Sequence, residues 1–350
     1  MATRLLIRTP NHLGDCIMAM PMVNEAREAY AGATVIVLTP DHLSGLYENN
    51  PSIDKILRVS PGHLHGLMAV VKLKELIEGE AIDIGYVLPP SFGSAASFKL
   101  AGVPTRVGYI ADGRRLLLTK PLPLPEPLNS EHRSGVYFNL LRRGSGKDLT
   151  YVHPKLFLNE EDAIRASNLL SDFGIGDGEE YLAVAPQAVA ESRRWGIENY
   201  TALAAQVIEE HDLKIILIGS ADDRAPANAI AGQLPDRSVA NLAGRSSVRE
   251  SAALLSRAAA FVGNDSGVAH LAASVGCPVV VLSGADDPKE TSPITSRKRL
   301  VRADRLDCIS CVKNRCPESG DGYMACMNQI SVSEVASSLS DLLQESGHSV

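Results

Sequence analysis

Three polar side chains that can bind an anion or a sugar lie close together in the segment 263–278. An apolar run precedes Asp265-Ser266-Gly267, and His270 follows four residues after Ser266. The pattern predicts a buried strand, a turn, and a helix on which Ser266 and His270 share a face. The first amides of a helix have no intrahelical partner, so this turn favours a phosphorylated or sugar-like ligand. Alternatively, Asp265 and Ser266 only cap the helix, and His270 is an ordinary half-buried histidine.

A carboxylate that could act as a base follows the first predicted strand. The strand-like run 4–9 leads into a loop with Gly14 and Asp15, and a helix is predicted from Cys16 to Tyr30. The helix dipole favours a carboxylate at the position of Asp15, and Gly14 lets a substrate approach the backbone closely. We interpret Asp15 either as a general base that faces an interdomain cleft or as a helix cap.

Strand-like and helix-like segments alternate along both halves of the chain. This alternation is typical of a parallel sheet covered by helices on both faces. We therefore predict an α/β protein with two Rossmann-like domains, residues 1–153 and 154–350, and a cleft between them. Ligands of such sheets bind beyond the carboxyl ends of the strands. In the first half, the sequence also predicts a helix from His65 to Ile77 and an extended segment that contains Pro121 and Pro127.

Two further loops of the second half should lie beside the 265–267 turn, at the carboxyl edge of the second sheet. One contains Arg193 and Arg194, and either guanidinium could neutralise a phosphate through bidentate contacts. The other contains Asp222 and Asp223, which could accept hydrogen bonds from ribose hydroxyls or could cap the helix that begins there. The three loops together predict a site for a phosphorylated sugar or nucleotide.

Composition excludes two classes of protein. Of the 350 residues, 45% are hydrophobic and 21% are charged, and no long uncharged apolar run could span a bilayer. A net charge of −7 and an aromatic content of 5% give no general attraction to nucleic acid.

The first residues lack a secretory signal pattern, so a cytoplasmic location is expected. The single tryptophan, Trp195, is expected to anchor the core.

Taken in order, the motifs resemble the ADP-heptose:lipopolysaccharide heptosyltransferases, most closely the heptosyltransferase II type. The resemblance extends from about residue 4 to residue 330. In the first half it is carried by Gly14-Asp15, by Val87-Leu88-Pro89 with Ser91-Phe92 and Ser94-Ala95, and by Ala101-Gly102-Val103-Pro104 with Arg106 and Gly108. In the second half it is carried by Arg193-Arg194-Trp195, Asn241-Leu242-Ala243-Gly244 and Asn264-Asp265-Ser266-Gly267 with His270.

The resemblance implies a GT-B architecture with the acceptor in the amino-terminal domain and the nucleotide sugar in the carboxyl-terminal domain. It implies an inverting transfer of heptose from ADP-heptose to the inner core of lipopolysaccharide, with Asp15 as the catalytic base. The family's diphosphate and heptose contacts match Asp265, Ser266, Gly267 and His270. Arg193 stands where the family commonly has a lysine. The predicted donor site comprises Arg193, Asp222, Asp265, Ser266, Gly267 and His270, and the predicted acceptor site comprises His12, Gly14 and Arg106.

The implied acceptor is a lipid-linked oligosaccharide, so peripheral contact with the inner membrane is expected. Lys99, Arg106, Arg114 and Arg115 could make that contact, or they could form an ordinary solvated surface. No Asp-x-Asp cluster stands out in the sequence, and no obligatory metal or cofactor is predicted. Two alternatives remain at this point: a transferase of the same family that uses another nucleotide sugar, and a non-catalytic regulator that binds a nucleotide sugar or a metal.

The metal alternative depends on four clustered cysteines. Cys308, Cys311, Cys316 and Cys326 follow a C-x2-C-x4-C-x9-C spacing. Four thiols at such spacing could bind zinc or an iron–sulfur cluster, whereas a stable disulfide is less expected in a cytosolic protein. The two other cysteines, Cys16 and Cys277, are interpreted as small core residues.

Overall fold

Two units, Met1–Phe157 and Leu158–Val350, make up the chain in the computed structural model. The structure describes residues 2–64, 66–126, 130–176 and 178–345. The predicted domain boundary between residues 153 and 154 falls just before the division between the units. Two residues named in the sequence predictions, His65 and Pro127, lie outside the described residues.

A parallel sheet of six strands forms the centre of the first unit, in the order β3-β2-β1-β4-β5-β6. The strands are β1 (Arg4–Arg8), β2 (Thr34–Pro40), β3 (Lys55–Val59), β4 (Ile84–Val87), β5 (Thr105–Tyr109) and β6 (Lys120–Leu122). From β1 the chain proceeds outward to β2 and β3, and then returns to β4 on the other side of β1. The strand order therefore reverses between β1 and β4, and ligands of such sheets bind at this reversal, beyond the carboxyl ends.

Helices connect these strands. They are α1 (Leu13–Met18), α2 (Met20–Asn24), α3 (Ala26–Ala29), α4 (Gly66–Glu78), α5 (Phe92–Leu100) and α6 (Arg133–Ser145). The single helix predicted from Cys16 to Tyr30 is wrong, since α1, α2 and α3 occupy that stretch. Pro21 explains the first break, because proline has no backbone N–H to donate to the carbonyl of Ile17.

The second unit repeats this topology, with six parallel strands in the order β12-β11-β10-β7-β8-β9. The strands are β7 (Tyr181–Ala185), β8 (Lys214–Leu217), β9 (Val239–Asn241), β10 (Ala260–Asn264), β11 (Val279–Leu282) and β12 (Lys298–Val301). All residues of β7, β10 and β11 are buried, as expected for central strands covered on both faces. Here the order reverses between β7 and β10, which makes their carboxyl ends the expected ligand site.

Eight helices accompany the second sheet among the described residues. They are α7 (Glu160–Asp172), α8 (Ile197–His211), α9 (Arg224–Ala231), α10 (Val248–Arg257), α11 (Gly267–Ser274), α12 (Pro288–Thr291), α13 (Ala325–Asn328) and α14 (Val332–Glu345). The main core of this unit packs apolar side chains of the sheet against α8, α9 and α14. In the described parts of both units, no helix combines the length and the apolar character needed to cross a bilayer.

Candidate functional site

Asp15 lies at the strand-order reversal of the first sheet, in the first turn of α1. Its side chain is half-buried, and the hydroxyl of Tyr137 on α6 donates a hydrogen bond to Asp15 Oδ1 at 3.4 Å. Burial, and then the negative charge of Asp15, raises the pKa of Tyr137 well above its usual value. Tyr137 therefore remains a protonated donor that orients the carboxylate. No local sequence pattern points to Tyr137, because it lies 122 residues from Asp15.

A buried arginine holds the loop in front of Asp15. Arg8 at the end of β1 is 1% exposed, and its guanidinium donates to the Thr9 carbonyl and to Asn11 Oδ1, both at 2.6 Å. Burial lowers the pKa of Arg8 to about 10, so the group remains charged at neutral pH. Two predicted acceptor residues, His12 and Gly14, lie on the chain between this anchor and Asp15.

Arg106, the third predicted acceptor residue, lies elsewhere in the first unit. It is the second residue of β5, and its guanidinium donates to the carbonyls of Leu117 and Val103 at 2.7 and 2.5 Å. In register it pairs with Gly85 in the first half of β4, whereas Asp15 follows the carboxyl end of β1. The structure thus brings His12 and Gly14 together with Asp15, but does not bring Arg106 to that edge.

One of the four cations expected to meet a membrane, Arg114, is buried, so that expectation is wrong for this residue. Arg114 is 1% exposed, and its guanidinium donates to the carbonyls of Tyr109, Pro89 and Val87. A side chain held in this way fixes the loops after β4 and β5 and cannot contact a lipid surface. Lys99 and Arg115 are exposed.

In the second unit, α11 begins directly after Asp265 and Ser266 at the carboxyl end of β10. Ser266 occupies the N-cap position, but its side chain makes no capping hydrogen bond, so the helix-cap interpretation is wrong for this residue. Within the described residues, neither Ser266 Oγ nor Asp265 Oδ2 has a hydrogen-bond partner, although both atoms are buried. His270 lies one turn further on and is 6% exposed, and its backbone N–H donates to the Ser266 carbonyl at 3.4 Å.

Asn264, the last residue of β10, connects this turn to the loop after β7. Its Oδ1 accepts hydrogen bonds from the Trp195 backbone N–H at 3.2 Å and from the Tyr200 hydroxyl at 3.0 Å. Its Nδ2 donates to the Pro186 carbonyl at 3.1 Å. The prediction that Trp195 anchors the core is confirmed: it is 1% exposed and packs edge-on against Tyr200, with ring centroids 5.0 Å apart. Asn264 therefore positions the loop that carries Arg193.

Arg193 forms an ion pair that the sequence reasoning missed. Its Nη2 lies 2.6 Å from Oδ1 of Asp286, a residue of the loop after β11 that is 4% exposed. Burial and the nearby charge of Asp286 raise the pKa of Asp265 to about 7. Burial likewise raises the pKa of Asp286 to about 6, although Arg193 opposes the shift. Two consecutive acidic residues in the loop after a buried strand, Asp286 and Asp287, were the available sequence signal.

The two acidic residues after β8 differ in their contacts. Asp223 Oδ2 accepts hydrogen bonds from the backbone N–H and the hydroxyl of Ser220, at 2.7 and 2.8 Å, which closes a capping box on the short turn Ala221–Asp223. Asp223 also occupies the N-cap position of α9, but its side chain makes no capping hydrogen bond to that helix. Asp222 is exposed. Because β7 lies between β8 and β10 in the sheet, the loop that carries Asp222 follows a strand two positions away from the one that precedes Asp265. Its proposed contact with a ribose stays a prediction.

Gly244 is expected to be essential for the loop that carries Asp222. It has a φ of +66°, and a Cβ atom added there would lie 2.5 Å from Ala221 Cα. We expect Gly244→Ala to lower the free energy of unfolding by about 2–4 kcal/mol, through backbone strain and this collision. The matched control is Gly276→Ala, which has a φ of +82° but no atom within 4 Å of the added Cβ. Urea denaturation of both variants measures the difference, and equal losses would show that the collision costs nothing.

The four clustered cysteines line one cavity of about 10 Å³ together with Ser192, Ala285 and neighbouring residues. All are free thiols. The cysteine-bearing segment is hydrogen-bonded to the loops that carry Asp286 and Arg193. Ser310 Oγ donates to the Asp286 carbonyl at 3.0 Å, and the Ser192 backbone N–H donates to the Asn314 carbonyl at 3.2 Å. In the part of the chain that the structure describes, no three His, Cys, Asp or Glu side chains are arranged to hold a metal ion. Metal binding by these cysteines stays a prediction.

The two other cysteines, Cys16 and Cys277, are buried, which confirms them as core residues.

Comparisons with solved structures show the fold. The structure of the ADP-heptose lipopolysaccharide heptosyltransferase II of Escherichia coli superimposes with a TM-score of 0.82 at 24% identity, over 99% of this chain and 100% of that one. The glycosyl transferase family 9 structure from Veillonella parvula gives a TM-score of 0.84 at 21% identity, over 98% of each chain. The α/β fold predicted from the sequence, with two Rossmann-like units of the GT-B type, is confirmed.

Comparisons of sequence show the family. The lipopolysaccharide heptosyltransferase 2 of Salmonella typhimurium is 27% identical over 98% of this chain and 99% of its own length. The family model for glycosyltransferase family 9 (heptosyltransferase) matches residues 70–320, which is more than half of the chain. This match favours the transferase over the non-catalytic regulator. The chain belongs to glycosyltransferase family 9, the heptosyltransferases, and is a glycosyltransferase.

Proposed function

We propose that this enzyme transfers heptose from ADP-heptose to the inner core of lipopolysaccharide, with inversion at the transferred carbon. The observation that carries the donor assignment is the set of buried, unpartnered oxygens at the start of α11. Asp265 Oδ2 and Ser266 Oγ have no hydrogen-bond partner among the described residues, at the strand-order reversal where ligands of this fold bind. Relatives named as lipopolysaccharide heptosyltransferases support the identity of the sugar.

On the donor side, the first two amides of α11, those of Gly267 and Val268, have no intrahelical acceptor and are proposed to bind the diphosphate. Ser266 donates its hydroxyl to a phosphate oxygen in this arrangement. Arg193 adds positive charge and His270 adds a ring N–H donor as the bond between the sugar and the diphosphate breaks, which stabilises the departing ADP. The ion pair with Asp286 uses Nη2 of Arg193 and leaves other N–H groups of the guanidinium for the phosphate.

On the acceptor side, Asp15 takes the proton from the attacking hydroxyl as that oxygen bonds to the sugar carbon. Inversion requires the hydroxyl to approach from the face opposite the leaving diphosphate. Tyr137 donates to Asp15 Oδ1 and orients the carboxylate, so that Oδ2 can receive the proton. His12 and Gly14 are proposed to contact the acceptor. The contribution of Arg106 to acceptor binding stays a prediction, since its guanidinium is bound to backbone carbonyls.

The acceptor of the proposed reaction is linked to a lipid. The proposal therefore includes a cytoplasmic enzyme in peripheral contact with the inner membrane. Two exposed cations of the first unit, Lys99 and Arg115, are available for anionic headgroups. No metal or other cofactor is assigned a role in this proposal.

Calorimetric titration of ADP-heptose, ADP and UDP tests the donor assignment. We expect the wild-type protein to bind both adenine ligands and to bind UDP at least about tenfold more weakly. Asp265→Ala is expected to weaken ADP-heptose binding by about 10- to 100-fold, because a hydrogen bond to a charged group is lost. Asp236→Ala, which removes an exposed carboxylate of the same unit, is the matched control and should bind like the wild type.

Two outcomes would contradict the proposal. A wild-type protein without adenine preference would point to another nucleotide sugar, and titration of other nucleotide sugars would then identify it. Unchanged binding by the Asp265→Ala variant would remove the donor from the start of α11.

A further inference from the structure

The loop after β11 carries polar atoms that no assigned role explains. Asp286 Oδ2 and Ser283 Oγ are buried and have no hydrogen-bond partner among the described residues. Ser283 is 0% exposed and Asp286 is 4% exposed. Because burying an unpaired polar atom is costly, two such atoms on one loop indicate that a ligand completes their hydrogen bonds. Neither residue belongs to the motifs from which the donor site was predicted.

The sheet register brings this loop beside Asp265. Asn264 of β10 pairs with Leu282 of β11, and Asp265 and Ser283 are the next residues of the two strands. The parallel ladder continues past the strand ends, since the Asp265 backbone N–H donates to the Leu282 carbonyl at 2.9 Å. Paired residues of neighbouring strands point to the same face of a sheet. Asp265 and Ser283 therefore present their side chains side by side.

Asp286 approaches the same place from the end of its loop. Its charge acts on Asp265, and its Oδ1 holds Arg193 at 2.6 Å. Three unpartnered oxygens, one each on Asp265, Ser283 and Asp286, thus lie on the neighbouring loops after β10 and β11, where Arg193 pairs with Asp286 and the charges of Arg193, Lys298 and Arg302 act on Asp265. The group contains two carboxylates, which accept hydrogen bonds when ionised and repel anions.

This arrangement of charges favours the diphosphate and the sugar of a nucleotide sugar at different places. A diphosphate is repelled by the carboxylates and is stabilised at the amides of α11 and at Arg193. A sugar is uncharged and offers several hydroxyl donors, which carboxylate oxygens accept strongly. The unpartnered atoms Asp286 Oδ2 and Ser283 Oγ therefore match the hydroxyl groups of the sugar and not the phosphates.

We infer that Asp286 and Ser283 form, with Asp265, the pocket for the hydroxyl groups of the donor sugar, and that Asp286 determines specificity by binding the sugar while it positions Arg193. The inference rests on the proposed function, because it takes the ligand to be a nucleotide sugar. It adds the loop after β11 to the donor site and assigns that loop the sugar portion.

The ratio between the affinities for ADP-heptose and for ADP tests this inference. ADP has the nucleotide and the diphosphate without the sugar, so the ratio isolates the contribution of the sugar. We expect Asp286→Asn to lower this ratio by about tenfold, because a charge-assisted hydrogen bond becomes a weaker neutral one. We expect Ser283→Ala to lower it by about 3- to 10-fold and to leave ADP binding unchanged.

Two further readouts separate the sugar pocket from a purely structural role. If Asp286 only holds Arg193, the Asp286→Asn variant loses ADP and ADP-heptose affinity by the same factor. The Ser283→Ala variant should melt at the wild-type temperature or above it, since the substitution removes a buried hydroxyl without a partner. Asp287→Asn is the control from the same loop; asparagine preserves the N-cap of α12 that Asp287 provides, and the affinity ratio should not change.

The outcomes distinguish this inference from the proposed function. A wild-type protein that binds neither ADP nor ADP-heptose contradicts the proposed function itself. A wild-type protein that binds ADP-heptose more tightly than ADP, with the same ratio in Asp286→Asn and Ser283→Ala, leaves the function standing and overturns the sugar pocket.

Discussion

Replacing Asp15 with asparagine is expected to lower the turnover of heptose transfer by about 10²- to 10⁴-fold, the range typical of losing a general base. Asparagine has the same shape and can still accept the hydrogen bond from Tyr137, but it cannot take a proton at neutral pH. ADP and ADP-heptose affinities should not change, because the donor is assigned to the other unit. Steady-state release of ADP with a lipopolysaccharide inner-core acceptor measures the loss, and calorimetry measures donor binding.

Tyr137→Phe is the matched variant for this experiment. It removes the hydrogen bond to Asp15 Oδ1 while the carboxylate remains, so a loss of less than about tenfold is expected. Asp15→Asn should remain folded, since a carboxylate in the first turn of a helix contributes only about 0.3–1 kcal/mol. Wild-type turnover by folded Asp15→Asn protein would show that another group accepts the proton.

The second large effect concerns the dependence of stability on pH. Burial raises the pKa of Asp265 to about 7 and that of Asp286 to about 6, whereas an exposed aspartate titrates near 4. Between about pH 4 and pH 7 the folded protein therefore binds more protons at these sites than the unfolded chain does. The free energy of unfolding of the ligand-free second unit should fall as the pH rises through this window. For Asp265 alone we expect a loss of about 2–4 kcal/mol.

Asp265→Asn tests this expectation, since an amide does not titrate. The wild-type protein should be less stable than the variant at pH 8, and the difference should shrink or reverse toward pH 4.5, as urea denaturation at each pH would show. Positive charge from Arg193, Lys298 and Arg302 lowers the pKa of Asp265 and limits the effect. Asp236→Asn, at an exposed position, should follow the wild-type profile. Parallel profiles for the wild type and Asp265→Asn would mean that Asp265 is ionised in the folded protein throughout this range.

The strands and helices of the second unit were largely predictable, because their signals are local. The apolar runs Tyr181–Ala185 and Val279–Leu282 are buried strands of the second sheet. The helix Val248–Arg257 begins at a capping box formed by Ser247 and Glu250, a signal that lies within four residues of the sequence. The first unit departed most where Pro21 interrupts an otherwise helical pattern, and a proline signal of this kind was present in the sequence.

The positions of Asp15 and Asp265 at the edges of the two sheets were predictable for a different reason. Asp265 directly follows a predicted strand of a parallel sheet and Asp15 lies at the end of the loop after another, and the carboxyl ends of such strands are where ligands bind. Arg106 differs, because a position within a strand does not show at which edge the side chain lies. Its partners, the carbonyls of Leu117 and Val103, depend on how β5 packs with the segments around it.

By itself, the sequence determined the alternation of strands and helices, the two parallel sheets, and the turns that carry Asp15 and Asp265. Those features arise from hydrophobic periodicity and helix caps, which are signals between residues close together in the sequence. Only the tertiary structure decided that Tyr137 meets Asp15, that Asn264 holds Trp195, and that Asp286 holds Arg193. These contacts join distant residues through the strand order, and burial there determines which polar atoms remain unpaired for a ligand.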